Sequence, residues 1–290
     1  MIELAGVADM RAWSRARRAA GRRLGFVPTM GYLHEGHLHL VDRARLAADT
    51  VVMSVFVNPL QFGPGEDLDR YPRDLARDRE LAASRGVDCL FVPAASEMYS
   101  PQATVRVTPG ALADHLCGPR RPGHFVGVLT VVAKLFHIVE PDVAVFGRKD
   151  IQQARLIARM AADLDFAVEV VVAPTTRESD GLARSSRNAY LTPAERRQAA
   201  SIPAGLGDAH ARFLAGERDP AALTGRLQRT LSVAGLEVEY VELVDPDRLQ
   251  PLVTATPDAV LALAARAGRT RLIDNIVLGD GLAADLVAHA

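Results

Sequence analysis

Residues 24 to 40 read Leu24-Gly25-Phe26-Val27-Pro28-Thr29-Met30-Gly31-Tyr32-Leu33-His34-Glu35-Gly36-His37-Leu38-His39-Leu40. A short apolar run stops at Pro28 to Gly31, and apolar residues resume at helical spacing from about Glu35. Strand, turn and helix in that order open a βαβ unit. His34 and His37 lie three residues apart, so both fall over the first helical turn. Unpaired N–H groups and the positive end of the macrodipole attract anions there. A nucleotide phosphate suits such a corner. Gly31 and Gly36 leave room for a ligand to reach the backbone, and an imidazole donates hydrogen bonds near neutral pH. Two histidines at this spacing also fit plain helix capping or half-buried packing.

Outward from this stretch, further short apolar runs rich in β-branched or aromatic residues occur at 51–57, 89–92, 143–146 and 167–172, as buried parallel strands do. Helical patterns at 37–48, 73–85, 123–139 and 151–164 lie between several of them. The alternation predicts an α/β fold, a Rossmann-like doubly wound parallel sheet whose ligands bind at carboxyl strand ends near the topological switch point. Beyond Pro174 the pattern changes to helices at 193–214 and 221–233, then strands at 238–244, 259–265 and 271–277, with Gly268 marking a hairpin turn. The expected domains are therefore 1–175, Rossmann-like, and 176–290, a smaller C-terminal α+β domain.

At 290 residues and 49% hydrophobic content the chain can bury two cores. Lys+Arg 34 against Asp+Glu 35 gives a net charge of −1, so no global field favours nucleic acid or an anionic membrane. No apolar run has membrane length. Cys89 and Cys117 lack metal-ligand spacing and are expected to be reduced structural thiols of a cytoplasmic protein. The Arg-rich, acid-poor segment 11–23 has the look of a transit peptide, but a core strand follows at once, so it is read as a solvated amphipathic helix.

Only two of the 34 basic residues are lysine, Lys134 and Lys149. Lys149 follows an apolar strand and precedes a helix in Phe146-Gly147-Arg148-Lys149-Asp150, a carboxyl strand end like that of His37. A compact ammonium on a flexible stem follows phosphate oxygens better than a planar guanidinium fork; Lys134 sits mid-helix, where snorkelling suffices. Gln61 and the pair Gln152-Gln153 also follow strand ends, and neutral amides can hold a carboxylate or hydroxyl. No G-x-G-x-x-G follows the first strand and no G-x-x-x-x-G-K-[ST] occurs, which argues against a nicotinamide dehydrogenase and a P-loop ATPase.

His34-Glu35-Gly36-His37 resembles the H-x-G-H signature of the nucleotidylyl transferase superfamily, whose members attack the α-phosphate of a nucleoside triphosphate. Pro28-Thr29-Met30-Gly31 with Leu33 to His37 is similar to the pantothenate synthetase (pantoate–β-alanine ligase) family. So are Phe56-Val57-Asn58-Pro59-Leu60-Gln61-Phe62, Tyr71-Pro72-Arg73, Arg120-Arg121-Pro122-Gly123-His124-Phe125, Gly147 to Asp150, and Arg177 to Asn188. The likeness is dense over 25–191 and thinner through Thr270-Arg271-Leu272-Ile273-Asp274-Asn275.

That resemblance implies ATP-dependent condensation of pantoate with β-alanine through a pantoyl adenylate, releasing pyrophosphate and AMP. It implies catalytic roles for His34, His37, Lys149 and Arg187. ATP would be held by these together with Met30, Gly31, Gly147, Asp150, the Thr176 backbone, Arg184, Ser185 and Ser186. Gln61 and Gln153 would bind pantoate, with Gln61 also near β-alanine, and His124 would shape the pantoate pocket. Mg²⁺ would arrive with ATP, its protein ligands unassigned, and no tightly bound organic cofactor is implied. A homodimer is implied, with small molecules as the other partners. Arg148 stands where the family more usually has glutamate, and Arg184 where it has a hydrophobic residue. The competing readings are a nucleotidylyl transferase that leaves the nucleotide on its product, and a regulatory module that binds ATP without turnover.

Overall fold

A computed structural model describes residues 1–288. Residues 289 and 290, the end of the expected second domain, lie outside the described residues. The chain forms two compact units: 1–109 with 121–147 and 153–173, and 110–120 with 148–152 and 174 onward.

In order, the first unit holds β1 (Ile2–Leu4), α1 (Val7–Ala19), β2 (Leu24–Thr29), α2 (Glu35–Ala47), β3 (Thr50–Val55), α3 (Leu75–Ser84), β4 (Cys89–Phe91), α4 (Ala95–Met98), α5 (His124–Val139) and β5 (Val143–Gly147). It then takes most of α6 (Ile151–Asp163) and all of β6 (Glu169–Ala173). The strands form one parallel sheet in the order β1-β4-β3-β2-β5-β6. From β2 the chain steps outward to β3 and β4, then returns to the other side of β2 for β5 and β6. The reversal falls between β2 and β5, so their carboxyl ends flank the position where such sheets bind ligands.

Period-two alternation sorts the sheet's side chains onto two faces. Val27, Val51, Met53, Leu90, Val143 and Val145 pack in one cluster with Leu40, Val41 and Ala44 of α2 and Ala82 of α3. Phe26, Val52, Phe91 and Phe146, one position out of step, face the other way and are buried. There the Phe146 ring meets Phe136 of α5, and the Cys89 thiol lies 3.8 Å from Met10 Sδ of α1. Burial of an aliphatic or Phe side chain stabilises by about 1.5–3 kcal/mol, and α5, buried nearly all round, anchors that face. The Arg-rich segment is α1, as expected, with Arg15 on Glu140 (3.0 Å) and Arg18 on Asp142 (2.8 Å).

The second unit contains β7 (Thr176–Arg177), α7 (Pro193–Ala199), α8 (Ser201–Leu214), α9 (Pro220–Val233), β8 (Glu237–Val244), β9 (Val260–Ala267), β10 (Thr270–Val277) and β11 (Leu286–Val287). Its antiparallel sheet runs β10-β9-β8, and β11 pairs parallel with β7. The β9–β10 hairpin turns at Gly268, whose φ of +56 lies in the left-handed region. Arg266 and Arg271 stand opposite each other on this hairpin, a repulsive pairing that Glu239 offsets by accepting from both, at 2.9 and 2.8 Å. Leu206, Phe213, Leu227, Leu261, Leu263 and Ile276 belong to its core.

Several expected boundaries move. The helix expected over 193–214 is two, α7 and α8, separated at Ala200, and Pro203 sits in the first turn of α8, where its missing N–H removes no helical bond. The helix expected from Arg73 starts at Leu75, because Asp74 caps it by accepting from Arg77 N at 3.1 Å. β1 is too short to show a pattern in the sequence. Cys89 and Cys117 are buried and unbridged, and burial, with Asp88 nearby, pushes the Cys89 thiol up to about 12.

Gly127 of α5 admits the Asn58–Gln61 turn, since a Cβ there would meet Leu60 O at 2.2 Å and Gln61 N at 2.6 Å. Gly127→Ala is expected to lower stability by about 1–3 kcal/mol in urea unfolding. Gly225→Ala, mid-helix in α9 with its nearest neighbour a side-chain atom at 3.4 Å, should instead raise it by about 0.5–1 kcal/mol.

Candidate active site

β2 ends at Thr29, whose hydroxyl donates to Ser54 O (2.7 Å) and accepts from Gly31 N (3.1 Å). The chain then turns through two positive φ values, +80 at Gly31 and +50 at Tyr32. At Gly31 a Cβ would lie 2.8 Å from Val55 and 2.9 Å from an Asp78 oxygen, so glycine is required there sterically as well as conformationally. Asp78, a buried residue of α3, accepts from Tyr32 N at 2.9 Å and Leu33 N at 2.6 Å. Its neighbour Arg77 donates to Leu33 O at 3.0 Å. Burial raises the Asp78 carboxyl above its ordinary range despite the two N–H bonds. A carboxylate is therefore held there against its solvation preference.

His34 is the N-cap of α2 and His37 its third residue. The His34 backbone N–H donates to His37 Nδ1 at 3.3 Å, and the two rings stack with centroids 4.0 Å apart. An Nδ1 that accepts leaves the proton of a neutral imidazole on Nε2, which makes Nε2 the donor. Capping and anion binding are thus compatible in one residue: the cap uses one nitrogen and fixes the other as N–H.

Gln61 ends a single 3₁₀ turn capped by Asn58. Asn58 Nδ2 donates to Gln61 Oε1 (3.1 Å) and Gly127 O (3.1 Å), while Tyr99 OH donates to Asn58 Oδ1 (2.7 Å). Gln61 Nε2 lies 3.1 Å from Met30 Sδ, which brings together the segments after β2 and β3. The Gln61 carbonyl accepts from His124 Nδ1 at 2.7 Å, and His124 Nε2 faces Arg121 Nη1 at 2.8 Å. A carbonyl only accepts and a guanidinium only donates, so this pairing assigns a neutral His124 with its proton on Nδ1. Arg121 is held in turn by both oxygens of Glu66, at 2.7 and 2.6 Å. Burial pushes the Glu66 carboxyl up, but the Arg121 hydrogen bonds and charge outweigh it and leave the group below its usual range. His124 therefore supports Gln61 through its backbone. Gln153 is half-buried on the first turn of α6. Gly147 ends β5, and a Cβ built on it meets nothing within 4 Å; packing does not demand glycine there, whereas ligand approach would.

The second unit holds the remaining candidates. Lys149 Nζ lies 3.2 Å from Asp150 Oδ2. Arg148, the departure from the family pattern, is turned to Asp285 at 2.5 Å, and its side chain is largely buried. Gln152 is committed structurally, accepting from Cys117 N and donating to Leu112 O and His115 O, all at 2.9 Å. Thr176 is buried in β7, where its carbonyl accepts from Arg184 N at 2.8 Å. Arg184, the other departure, pairs with Glu178 of its own loop at 3.6 Å. Ser185 Oγ accepts from Arg187 N at 3.3 Å, capping a 3₁₀ turn over Ser186–Tyr190, and its hydroxyl hydrogen is left to donate elsewhere. The roles of Asp78, Tyr99, Asn275 and Asp285 escape a reading of the sequence, because each acts on a segment from about forty to more than a hundred residues away and leaves no local pattern.

Residues 3–277 match the family model described as pantoate-beta-alanine ligase. The chain belongs to the pantoate–β-alanine ligase family. A pantothenate synthetase of Pelotomaculum thermopropionicum is 53% identical over 274 residues, 94% of this chain and 97% of that protein. Pantothenate synthetase 1 of Bradyrhizobium diazoefficiens is 52% identical over 275 residues, covering 94% and 96%. The crystal structure of the Thermus thermophilus pantothenate synthetase superposes with a TM-score of 0.90 at 46% identity, covering 96% of this chain and 99% of that one. The Francisella tularensis pantoate-beta-alanine ligase, crystallised with beta-gamma ATP and beta-alanine, gives 0.81 at 33% identity, covering 97% and 99%. The α/β fold with a smaller antiparallel C-terminal sheet is shared with these structures.

If Asp78 shapes the histidine corner, Asp78→Ala leaves the buried Leu33 N–H unpaired, a cost of about 1–3 kcal/mol. Amide exchange at Tyr32 and Leu33 should then quicken by about one to two orders of magnitude, while the Val51–Met53 amides of β3 keep their protection.

Proposed function

We propose that this chain condenses (R)-pantoate with β-alanine in two steps at one bound ATP. A pantoate carboxylate oxygen attacks the α-phosphorus, the bond to the bridging oxygen breaks, and pyrophosphate leaves. The neutral amine of β-alanine then attacks the pantoyl carbonyl, AMP leaves, and the amine proton passes to solvent. The observation that carries this reading is the H-x-G-H corner at the β2 carboxyl end, with His37 Nδ1 accepting from the backbone so that Nε2 carries the proton of the neutral ring, in a chain that matches the ligase family over residues 3–277.

In this proposal His34 and His37 donate to the phosphate oxygens where charge accumulates as the α-phosphorus is attacked. Lys149 exchanges its Asp150 partner for the same phosphates, Ser185 and Ser186 donate to them, and Arg187 offsets charge on departing pyrophosphate. Met30, Gly31 and Gly147 line the nucleotide by close backbone approach, Thr176 holds adenine through its backbone, and Asp150 and Arg184 complete the ATP set. Gln61 and Gln153 hold pantoate by amide hydrogen bonds, and Gln61 also meets β-alanine. Amides leave the carboxylate nucleophilic, where a bidentate arginine would stabilise its charge before reaction.

ATP enters as its magnesium complex, the ion being part of the substrate. Mg²⁺ is commonly held largely by phosphates and water, so its protein ligands are left unassigned. No described helix is long and apolar enough to cross a membrane. The proposal includes a cytoplasmic homodimer, with residues 1–175 as the nucleotide and pantoate domain and 176–290 as the C-terminal lid domain.

Omitting ATP, pantoate and β-alanine in turn from an assay of AMP and pantothenate tests the reaction: both products should need all three. His37→Ala and Lys149→Ala should each lower pantoate-dependent ATP–pyrophosphate exchange by about 100-fold or more while the fold, read by circular dichroism, stays intact. Gln153→Ala should act mainly through a raised KM for pantoate. Near-normal exchange in both of the first two variants refutes the assignment.

A further inference from the structure

The turn carrying Lys149 has no regular secondary structure before α6 beyond one 3₁₀ turn over Arg148–Asp150. A flexible four-carbon side chain on such a short turn needs its main chain held from outside if the ammonium is to stay in register with a phosphate. Two residues of the second unit, both far along the chain, hold it. Asn275 of β10 is buried, and its Nδ2 donates to Arg148 O at 3.0 Å and to Lys149 O at 2.9 Å. One amide group thus ties two consecutive carbonyls. Its own backbone N–H donates to Asp274 Oδ1 at 2.8 Å, and Asp274 in turn binds Arg177 through both oxygens, at 2.7 and 3.0 Å.

Asp285, just before β11, secures the same turn through a side chain. Its Oδ1 accepts from Arg148 Nη2 at 2.5 Å and from Thr175 N at 3.2 Å, and its Oδ2 accepts from Arg177 Nε at 2.7 Å. Arg148, Arg177, Asp274 and Asp285 make a charge-balanced, largely buried quartet. The charge that Arg148 adds beside Lys149 is therefore neutralised within the quartet. Asn275 Oδ1 is buried with no hydrogen-bond partner among the described residues. Leaving a buried acceptor unpaired is unfavourable; what the amide supplies in exchange is the Nδ2 donor to the two consecutive carbonyls of the Lys149 turn.

We infer that Asn275, seconded by Asp285 through Arg148, is a positioning residue for Lys149: β10 and the segment before β11 set the main chain from which the ammonium reaches the triphosphate. This rests on the proposed role of Lys149 at phosphate. Its chemistry predicts a specific coupling. Asn275→Ala should slow adenylate formation only by misplacing Lys149, and a misplacement of about 1 Å costs on the order of 100-fold.

The test is a double-mutant cycle on pantoate-dependent ATP–pyrophosphate exchange in the full chain, with Lys149→Ala, Asn275→Ala and the double variant. The expected result is a fall in kcat for Asn275→Ala with KM for pantoate unchanged, and no further fall when it is added to Lys149→Ala. If Asn275→Ala does not yield folded protein, Asp285→Asn, which keeps shape and removes the charge, enters the same cycle with the same expectation. Equal losses in the presence and absence of Lys149 would show a merely structural role and overturn the positioning inference alone. A Lys149→Ala variant with normal exchange would overturn the phosphate reading and the inference with it.

Discussion

Two backbone N–H groups, those of Tyr32 and Leu33, end on one buried carboxylate, Asp78. That contact decides how the chain leaves β2. Beside it, the Thr29 hydroxyl and the Arg77 guanidinium also hold the Gly31–Tyr32 reversal. With it, α2 begins with His34 as cap and His37 in the first turn, and the backbone of one fixes the tautomer of the other. The carboxyl is raised by burial, so the protein keeps an ionisable group where a solvation argument disfavours one. Isolated helices gain little from such a device. A phosphate-directed corner, whose donors must point one way before the ligand arrives, gains a great deal.

The same principle recurs at Gln61 and in the second unit: side chains proposed for the site, carried on short turns, are fixed by longer-range polar contacts. Gln61 is held at its amide by Asn58 and at its carbonyl by His124, with Tyr99 and the Arg121–Glu66 pair behind them. Glycine at 127 allows the close approach that this turn needs. In the second unit Arg177, only 3% exposed, is balanced in charge by Asp274 and Asp285; desolvation opposes its charged form, yet the two carboxylates more than offset this and raise it.

The sheet was legible because its strands are buried on both faces, which writes them as short, nearly unbroken apolar runs. β2, β3, β4 and β5 emerge from that signal alone. The strand-turn-helix break at residues 28–35 was legible for a second reason, that proline, glycine and a helix start fall in a fixed order. Boundaries that depend on a side chain capping a backbone group, such as Asp74 at α3, were not. The histidine corner showed itself through residue type and spacing. The roles of Asp78, Tyr99, Asn275 and Asp285 did not, since their partners lie from about forty to more than a hundred residues away and polar side chains ordinarily face solvent. Arg148 and Arg184 stood out as departures, but only coordinates reveal that each is matched by a nearby carboxylate.

Whether the backbone-fixed imidazole is the group that meets phosphate can be read by histidine side-chain ¹⁵N NMR of the full-length protein, during titration with a non-hydrolysable β,γ-analogue of ATP. His37 Nδ1 should stay unprotonated throughout, while its protonated Nε2 shifts as the analogue saturates. Saturation of the protein with the analogue while the ring nitrogens of both His34 and His37 remain unmoved would contradict a phosphate-directed corner.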